Sequence, residues 1–419
     1  MNVPLSNNIV RFSQGAYRME AYLQPIVSVA RQQIIGFEGL SRGFDPVTGE
    51  SMPVLDLFEQ AQRNNNLFAF DHDCRERCMQ QFNRLEDRSN SWHLFANIDA
   101  TVLDHIDNLQ FLYGQTLRNG LLPQQVVIEV NEHQLERLES LQQFTDHYKR
   151  LGFLIAVDDV GTGYSNLERL SAVRPDIVKL DRSLLIGIED SYYKQEIFHS
   201  MVHMSAKLGA IVVAEGVETV EQACFAMEFG AHLLQGYLFS RPQAVEELNL
   251  EEVDGRMREN AQFFTEHIQG KITRERQCMQ TVGRMVDRLC RRLGKVEPEQ
   301  YDEVLGSYQW QGCAGLVECA YVINRAGLQV SGTVFANEQG DRHRNMMFFP
   351  ATKGANHELK PFYYELMNAG VPRHVSSAYI SHASGNVCVT YAYVFFSPLG
   401  EGFVLCVDAL QSGLEQRLM

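Results

Sequence analysis

Short runs of apolar residues recur between helical segments from about Tyr22 to Pro242, and this alternation is the strongest constraint on the fold. The strand-like runs are rich in Val, Ile and Leu and cover residues 126–130, 154–157, 177–180, 211–214 and 233–238. Consecutive apolar residues are typical of strands buried on both faces, as in parallel sheets. Helical patterns lie between these runs, for example over residues 135–151 and 193–208. The alternation predicts an α/β fold, either a (β/α)8 barrel or a doubly wound open sheet.

Charged side chains stand at or near the carboxyl ends of four of these predicted strands. They are Glu129, the pair Asp158 and Asp159, Lys179, and Glu215. In a parallel barrel the carboxyl ends of all strands share one face, and that face holds the active site. We therefore expect these five side chains to lie close together.

Carboxylates that converge in one place repel each other and are costly to bury without a counter-charge. Divalent cations are the simplest compensation, and oxygen ligands favour a hard ion such as Mg²⁺ or Mn²⁺. Each acid taken alone could instead cap the following helix. The tandem Asp158-Asp159 is harder to explain by capping, because it runs directly into the glycine-flanked segment from Val160 to Ser165. Glycines allow the backbone there to approach a ligand closely.

Composition excludes several classes of protein. The formal net charge of −15 disfavours nonspecific binding to DNA or RNA, which requires a basic surface. Nine cysteines occur without any Cys-x-x-Cys pair, which is typical of reduced thiols in the cytoplasm. The chain shows no signal sequence, and no apolar run reaches the ~18 residues of a membrane span. We expect a cytoplasmic protein without membrane insertion.

The apolar spacing changes after a first domain that covers residues 1–250. Apolar residues at intervals of three and four predict a helical linker over 251–296, as one long helix or two joined near Gly270. We interpret this linker as a connector or dimer helix. The carboxyl-terminal end of this linker is basic and carries Arg284, Arg288, Arg291, Arg292 and Lys295. Such a cluster is typical of a solvated face and of a helix carboxyl terminus.

A third unit over residues 297–419 has a different pattern, with a helix at 362–367 and several strands. The predicted strands cover 317–323, 328–334, 387–396 and 403–407. A helix inserted among antiparallel strands predicts an α+β domain of the kind found in small sensory modules.

The motifs over residues 20 to 245 resemble, in order, those of the bacterial EAL-domain family. Glu38-Gly39-Leu40-Ser41-Arg42 resembles the Glu-Ala-Leu-x-Arg signature, and residues 158–165 resemble the Asp-Asp-Phe-Gly-Thr-Gly-Tyr-Ser element. Further matches are Gln24-Pro25-Ile26, Asn97, Glu129-Val130-Asn131-Glu132, Val178-Lys179-Leu180-Asp181, Glu215-Gly216-Val217-Glu218, Gln235-Gly236-Tyr237 and Arg241-Pro242. The resemblance implies a TIM-like barrel whose first strand is antiparallel to its neighbours. It also implies hydrolysis of cyclic di-GMP (c-di-GMP) to the linear dinucleotide pGpG.

The resemblance further implies which residues bind two metal ions, Mg²⁺ or Mn²⁺. The first ion would be held by Glu38, Asn97, Glu129 and Asp158. Asp158 would bridge to the second ion, which Asp159 would also hold. Two such ions can clamp a phosphate and lower the pKa of a bridging water.

The remaining family positions would act on the water, the substrate or the loop after Asp159. Glu215 would be the general base, and Lys179 would orient or stabilise the attacking water. The substrate-binding residues would be Arg42, Gln24 and Gln235, with the Arg42 guanidinium contacting a phosphate. The loop would be anchored by Glu132 and Glu218.

Three positions depart from the family pattern. Gly39 replaces Ala, for which we expect a looser backbone. Asn131 replaces Thr and Val160 replaces Phe, which alters the loop next to the metal site. No ligand and no base is lost, so we expect an active phosphodiesterase. The alternative is a receptor that binds c-di-GMP without turnover.

The third unit resembles the PAS-like or Cache-like domain that follows the EAL domain in YkuI-type proteins. The resemblance is carried by the order of three segments: Tyr321 to Gly327, Lys360 to Tyr364, and Ser377 to Ser381. It implies a homodimer, and it implies either that this domain regulates the barrel through an unknown ligand or signal or that it has a purely structural role in supporting the dimer.

Overall fold

The strand–helix alternation of the first half of the chain forms a closed barrel. The structure is a computed structural model and describes residues 9–12, 15–85, 91–99, 109–131, 138–162, 167–310, 315–336, 349–381 and 385–411. The chain divides into two compact units, Met1–His267 and Ile268–Met419. We refer to them as the barrel unit and the carboxyl-terminal unit.

The barrel unit alternates strands and helices. Its strands are β1 (Ile9–Phe12), β2 (Gly15–Ser28), β3 (Gln33–Phe44), β4 (Ser51–Met52), β5 (His93–Ile98), β6 (Val126–Asn131), β7 (Leu154–Val160), β8 (Ile177–Leu180), β9 (Ile211–Ala214) and β10 (Leu233–Leu234). Its helices are α1 (Val54–Arg63), α2 (Leu67–Phe82), α3 (Leu109–Arg118), α4 (Leu138–Arg150), α5 (Leu167–Val173), α6 (Tyr192–Lys207), α7 (Val220–Glu228) and the start of α8 (Leu250–Leu293).

Eight of these strands close the barrel in the order β2-β3-β5-β6-β7-β8-β9-β10. Strand β2 is antiparallel to both of its neighbours, β3 and β10, whereas the strands from β3 through β10 run parallel. The pairing of Leu234 with Val27 closes the ring. The fold class, a TIM-like barrel with an antiparallel first strand, is therefore confirmed, and the open sheet is wrong.

Strand β10 is shorter than the apolar run at 233–238 predicts. The chain leaves the sheet after Leu234 and turns, with Phe239 N and Ser240 N both donating to Gly236 O. Gly236 lies against the backbone of Val217, where an added Cβ would come within 2.0 Å of the Val217 carbonyl oxygen. This close approach needs glycine and bends the chain away from the strand direction.

Helix α8 runs without a break through Gly270, so the long apolar repeat is one helix and not two. Val253 and Met257 near its start are buried in the main core of the barrel unit, and its later turns belong to the carboxyl-terminal unit. No described helix is both long enough and apolar enough to cross a membrane.

The carboxyl-terminal unit is an antiparallel sheet with helices on both faces. Its remaining elements are α9 (Tyr301–Gly306), β11 (Val317–Asn324), β12 (Val334–Phe335), α10 (Pro361–Ala369), β13 (Arg373–Val375), β14 (Tyr379–Ile380), β15 (Val387–Phe396) and β16 (Gly402–Leu410). The strand order is β12-β11-β16-β15-β13, and β14 also pairs with β15. One core joins the sheet to the last turns of α8 and to α9, and another joins it to α10.

The strand predicted at 328–334 is largely wrong. Only Val334 and Phe335 form a strand, and Leu328 and Gln329 make isolated bridges. Buried Gln329 donates its side-chain amide to Ser331 O and Thr333 Oγ1. These local hydrogen bonds hold the segment as a loop, because they take the place of a regular ladder.

Gly39 is firmly packed, contrary to the looser backbone expected there. It pairs with Leu23 on β2 and with Ala96 on β5. A Cβ at this position would lie 2.7 Å from Cys78 Cβ and 3.0 Å from Cys78 Sγ, on helix α2. The family alanine would therefore require α2 or β3 to shift at this contact.

We expect Gly39→Ala to lower the free energy of unfolding by about 1–3 kcal/mol, because the new methyl overpacks the contact with Cys78. The matched control is Gly255→Ala on α8, where an added Cβ meets no atom within 4 Å. Alanine favours a helix over glycine by up to about 1 kcal/mol, so this variant should keep or gain stability. The measurement is urea unfolding followed by tryptophan fluorescence. An unchanged midpoint for Gly39→Ala would contradict the packing account.

Candidate active site

Polar side chains form a layer inside the barrel, directly above an apolar layer. On five neighbouring strands an interior apolar residue is followed two positions later by a polar one. The apolar residues are Phe95, Val127, Ala156, Ile177 and Val213, which pack together. The polar residues are Asn97, Glu129, Asp158, Lys179 and Glu215. Residues two apart on a strand face the same side, so the barrel brings these five side chains to one place at its carboxyl end.

The ammonium of Lys179 is the centre of this layer. Its side chain is 1% exposed, and its Nζ forms ion pairs with four carboxylates. The distances from Nζ are 2.6 Å to Glu129 Oε1, 2.6 Å to Glu215 Oε1, 3.2 Å to Asp158 Oδ1 and 3.4 Å to Glu38 Oε2. The carboxylates come from β3, β6, β7 and the end of β9, so one cation joins four parts of the barrel.

Burial and neighbouring charges shift the pKa values of the residues in this cluster. Burial raises the pKa of Glu129 and of Glu215 well above the usual range, and burial also raises that of Asp158. Burial opposes ionisation of Glu38 as well, but Lys179 and hydrogen bonds outweigh it and lower the pKa. Burial alone would lower the pKa of Lys179, and the surrounding carboxylates reverse this and raise it well above normal. Lys179 is therefore charged.

Four carboxylates around one ammonium carry more negative charge than Lys179 can balance. Protons or further cations must supply the remaining positive charge. Carboxylate oxygens of Asp158, Asp159 and Glu215 all lie within 4.8 Å of one another, a separation that suits a shared metal ion. Buried Gln235 Oε1 also has no hydrogen-bond partner among the residues that the structure describes. The donor set is entirely oxygen and fits a hard divalent ion.

A bulge in β7 turns two consecutive aspartates toward the site. The register with β8 shifts between Val157 and Val160, and Asp159 has a left-handed backbone with φ of +57°. Neighbouring residues of a regular strand point to opposite faces, so the bulge is what allows both carboxylates to face inward. Asp159 is held there by Asn131 Nδ2, which donates to its Oδ2 at 2.5 Å. Asn131 thus contacts the site directly.

Amide side chains connect the carboxylates. Asn97 Nδ2 donates to Glu38 Oε1 at 3.2 Å and to Glu129 Oε2 at 3.0 Å. Gln235 Nε2 donates to Glu38 Oε2 at 2.5 Å and to Gln24 Oε1 at 3.1 Å. Gln24 in turn donates to Ser240 O. Gln235, directly after β10, therefore holds Glu38, and Gln24 on β2 holds Gln235.

Backbone packing fixes Glu215 beside Gln235. Glu215 N donates to Leu180 O, and Gln235 N donates to Ala214 O. Gly216 follows with φ of +61°, and an added Cβ would lie 2.3 Å from Arg182 Cβ. Only glycine tolerates this conformation and this approach together. The turn that carries Glu215 is therefore determined by its neighbouring glycine.

Two of the three remaining predicted site residues, Arg42 and Glu218, make fewer contacts with the cluster. Arg42 is half-buried and donates to Ser41 O, and its guanidinium lies over the Tyr22 ring, 5.7 Å from the centroid. Glu218 Oε1 lies 3.7 Å from Arg182 Nη2. Glu132 lies outside the described residues. The anchoring roles of Glu218 and Glu132 stay predictions.

Two adjoining cavities open beside the carboxylates and share Leu40 and Arg42. One, of about 310 Å³, is lined by Asp158, Asp159, Lys179 and Glu215, and also by Arg182 and Tyr237, to which our sequence analysis assigned no role in the site. The second, of about 360 Å³, borders Asn97 and Asn131 and is lined further by Asp71, Cys74, Arg75 and Asp99. Arg182 lies two residues after β8 and Tyr237 three residues after β10, and this position just beyond a barrel strand is the signal that could have revealed them.

Comparison with known proteins shows which proteins the chain resembles. The chain is 24% identical over 408 residues to the uncharacterised EAL-domain protein YkuI of Bacillus subtilis. The alignment covers 94% of this chain and 95% of YkuI. It is 31% identical over 228 residues to the cyclic di-GMP phosphodiesterase NbdA of Pseudomonas aeruginosa. That alignment covers 54% of this chain and 29% of NbdA. The chain thus spans less than a third of NbdA.

Solved structures extend the comparison. The crystal structure of B. subtilis YkuI in complex with c-di-GMP and calcium superposes with a TM-score of 0.76 at 22% identity, covering 94% of this chain and 96% of that chain, which shows a shared fold. Klebsiella pneumoniae BlrP1, in a manganese and c-di-GMP complex, matches with a TM-score of 0.50 at 32% identity over 58% of each chain. The family model described as the EAL domain matches residues 8–242, and the chain therefore belongs to the EAL-domain family.

Proposed function

We propose that the barrel unit hydrolyses c-di-GMP to linear pGpG with two divalent metal ions, Mg²⁺ or Mn²⁺. The observation that carries this proposal is the excess of buried carboxylates around Lys179. Relatives named as c-di-GMP phosphodiesterases, and family structures that contain c-di-GMP with calcium or manganese, support the substrate and the need for a divalent ion.

The metal ligands would be Glu38, Asn97, Glu129, Asp158 and Asp159, with Asp158 shared between the ions. Asn97 directs its Nδ2 at the carboxylates, so metal binding requires its amide oxygen to turn toward the ion. Bound ions would polarise the phosphate and acidify a bridging water. Glu215 lies within the same group of oxygens as Asp158 and Asp159 and offers a further ligand.

Three residues act on the proton and the substrate. Glu215 accepts the proton of the attacking water, because its carboxylate lies at the end of β9 beside Asp158 and Asp159, where the metal-bound water would stand. Lys179 Nζ, 2.6 Å from Glu215 Oε1, holds that carboxylate and stabilises negative charge that develops nearby. The Arg42 guanidinium lies at the junction of the two cavities, where it would contact a phosphate.

The shape of the site also suits a cyclic dinucleotide. Two cavities of similar volume meet at Leu40 and Arg42, next to the carboxylates. A cyclic dinucleotide has two nucleoside halves joined by phosphates, so one half can occupy each cavity while a phosphate faces the metal ligands. The second cavity contains the buried pair Asp71 and Arg75, which can meet the polar edge of a base.

The decisive experiment is turnover of c-di-GMP by the purified full-length chain with Mg²⁺ or Mn²⁺. We expect pGpG to accumulate, detected by chromatography, and EDTA to stop the reaction because the carboxylates alone cannot stabilise the phosphate. Folded protein that yields no pGpG with either ion would refute the enzyme. Tight binding of c-di-GMP without product would instead support the receptor function.

We expect Glu215→Gln to lower kcat by about 10²–10⁴-fold, because the amide cannot accept the proton. The matched control is Glu221→Gln, an exposed acid in the first turn of α7, which should retain normal kcat. Thermal unfolding of both variants establishes that they are folded. A near-normal rate for Glu215→Gln would show that another group is the base.

We further propose a cytoplasmic homodimer whose activity is regulated through the carboxyl-terminal unit. The amphipathic helix α8, which continues from the barrel unit into that unit, supports both ideas. Light scattering at micromolar concentration should give twice the chain mass, and a monomer alone would contradict the dimer. Asp408→Asn, which alters a buried hydrogen bond from Thr390 Oγ1, should change c-di-GMP turnover. Unchanged kcat and KM would count against regulation.

A further inference from the structure

A concave basic surface lies at the end of α8, within the carboxyl-terminal unit. Its cavity has a volume of about 620 Å³, within the range of small-molecule sites. Four exposed cations line it: Arg288, Arg291, Arg292 and Lys295. The rest of the lining is Met285, Ser307, Tyr308, Gln309 and Trp310. We call this the basic cavity.

The basic cavity is positively charged, whereas the whole chain is negatively charged, with 52 acidic and 37 basic residues. All of its ionisable lining side chains except Tyr308 are cations, and none of the four forms an ion pair with a described carboxylate. Two nearby aspartates are engaged elsewhere, Asp287 with Arg373 at 2.8 Å and Asp302 with Lys353 at 2.6 Å, and Glu297 and Glu299, which follow Lys295 in the chain, do not line the cavity. The four cations thus lack a counter-charge from the described part of the chain.

Helix spacing makes this arrangement unfavourable without an anion. Arg291 and Arg292 lie three and four residues after Arg288, spacings at which like charges on a helix repel, and Lys295 lies two residues beyond the end of the helix. The negative end of the helix dipole accounts for the two cations of the last turn, Arg291 and Arg292. It does not account for Arg288, which lies more than a turn from Leu293, the last helical residue. A bound anion would relieve the repulsion for all four.

Two aromatic side chains, Tyr308 and Trp310, line the same cavity as the cations. Trp310 is 8% exposed and is anchored in the core, and its ring meets the half-buried Tyr308 ring edge-on at 5.1 Å. The Arg292 guanidinium lies 5.7 Å from the centroid of the Tyr308 ring. Aromatic rings and guanidinium planes are both surfaces on which a nucleobase stacks. The cavity therefore combines anion recognition with a stacking surface.

We propose that the basic cavity binds a nucleoside di- or triphosphate, with the phosphates on Arg288, Arg291 and Lys295 and the base against Tyr308 and Arg292. Arginines bind phosphate oxygens through pairs of N–H donors, and two or more phosphates match several cations. The net charge of −15 opposes a long nucleic acid, whereas a small anion enters a local basic site. This proposal does not depend on the phosphodiesterase activity of the barrel.

The first test is equilibrium dialysis of the full-length chain against labelled GTP or ATP. EDTA is present, so that the carboxylates of the barrel cannot bind nucleotide through a metal ion. We expect saturable binding of one nucleotide per chain, weakened about tenfold or more by Arg288→Glu or Arg291→Glu. The matched control is Arg284→Glu, an exposed arginine of the same helix that bonds to Gln280 O outside the cavity, which should bind normally.

The second test uses fluorescence. The chain has two tryptophans, Trp92 and Trp310, so Trp92→Phe leaves Trp310 as the reporter. We expect GTP or ATP to change its emission with the dissociation constant found by dialysis. Absence of saturable binding, or equal binding by Arg288→Glu, Arg291→Glu and the unmodified chain, would overturn the proposal. Inorganic pyrophosphate that binds as tightly as the nucleotide would overturn the contact of the base with Tyr308.

Discussion

The buried ammonium of Lys179 is the interaction on which the rest of the barrel interior depends. Its contacts with Glu38, Glu129, Asp158 and Glu215 join four parts of the barrel that are distant in sequence. A buried ion pair that loses one partner leaves an uncompensated charge and is strongly destabilising. The polar layer therefore has one centre, and each neighbouring strand must keep the register that brings its side chain there.

The same arrangement connects stability with chemistry. A packed barrel gains nothing from so many buried acids, since desolvation penalises each charge. The acids are tolerated because cations or protons can share the site, and the proposed metal-assisted hydrolysis rests on this demand for further positive charge. The left-handed Asp159 adds local strain, which is typical of functional positions held by surrounding contacts such as that with Asn131.

Much of the fold follows from periodicity alone. The apolar runs that became β6 to β9 and the long repeat that became α8 were predicted within a few residues, because burial on both faces and helical spacing are local properties. The runs at 233–238 and 328–334 were overestimated. In both places the outcome depended on distant or polar contacts, the Val217 backbone against Gly236 and the side-chain hydrogen bonds of Gln329.

The sequence by itself determined which chemistry is present: carboxylates, a lysine and amides at strand ends, in the order of one family. Tertiary structure alone decided their geometry. Alternation along a strand would send Asp158 and Asp159 to opposite faces, and only the bulge against β8 turns both inward. Likewise, the packing of Cys78 explains Gly39. Spacing encodes which element forms, whereas register and close approach depend on residues that meet only when the barrel closes.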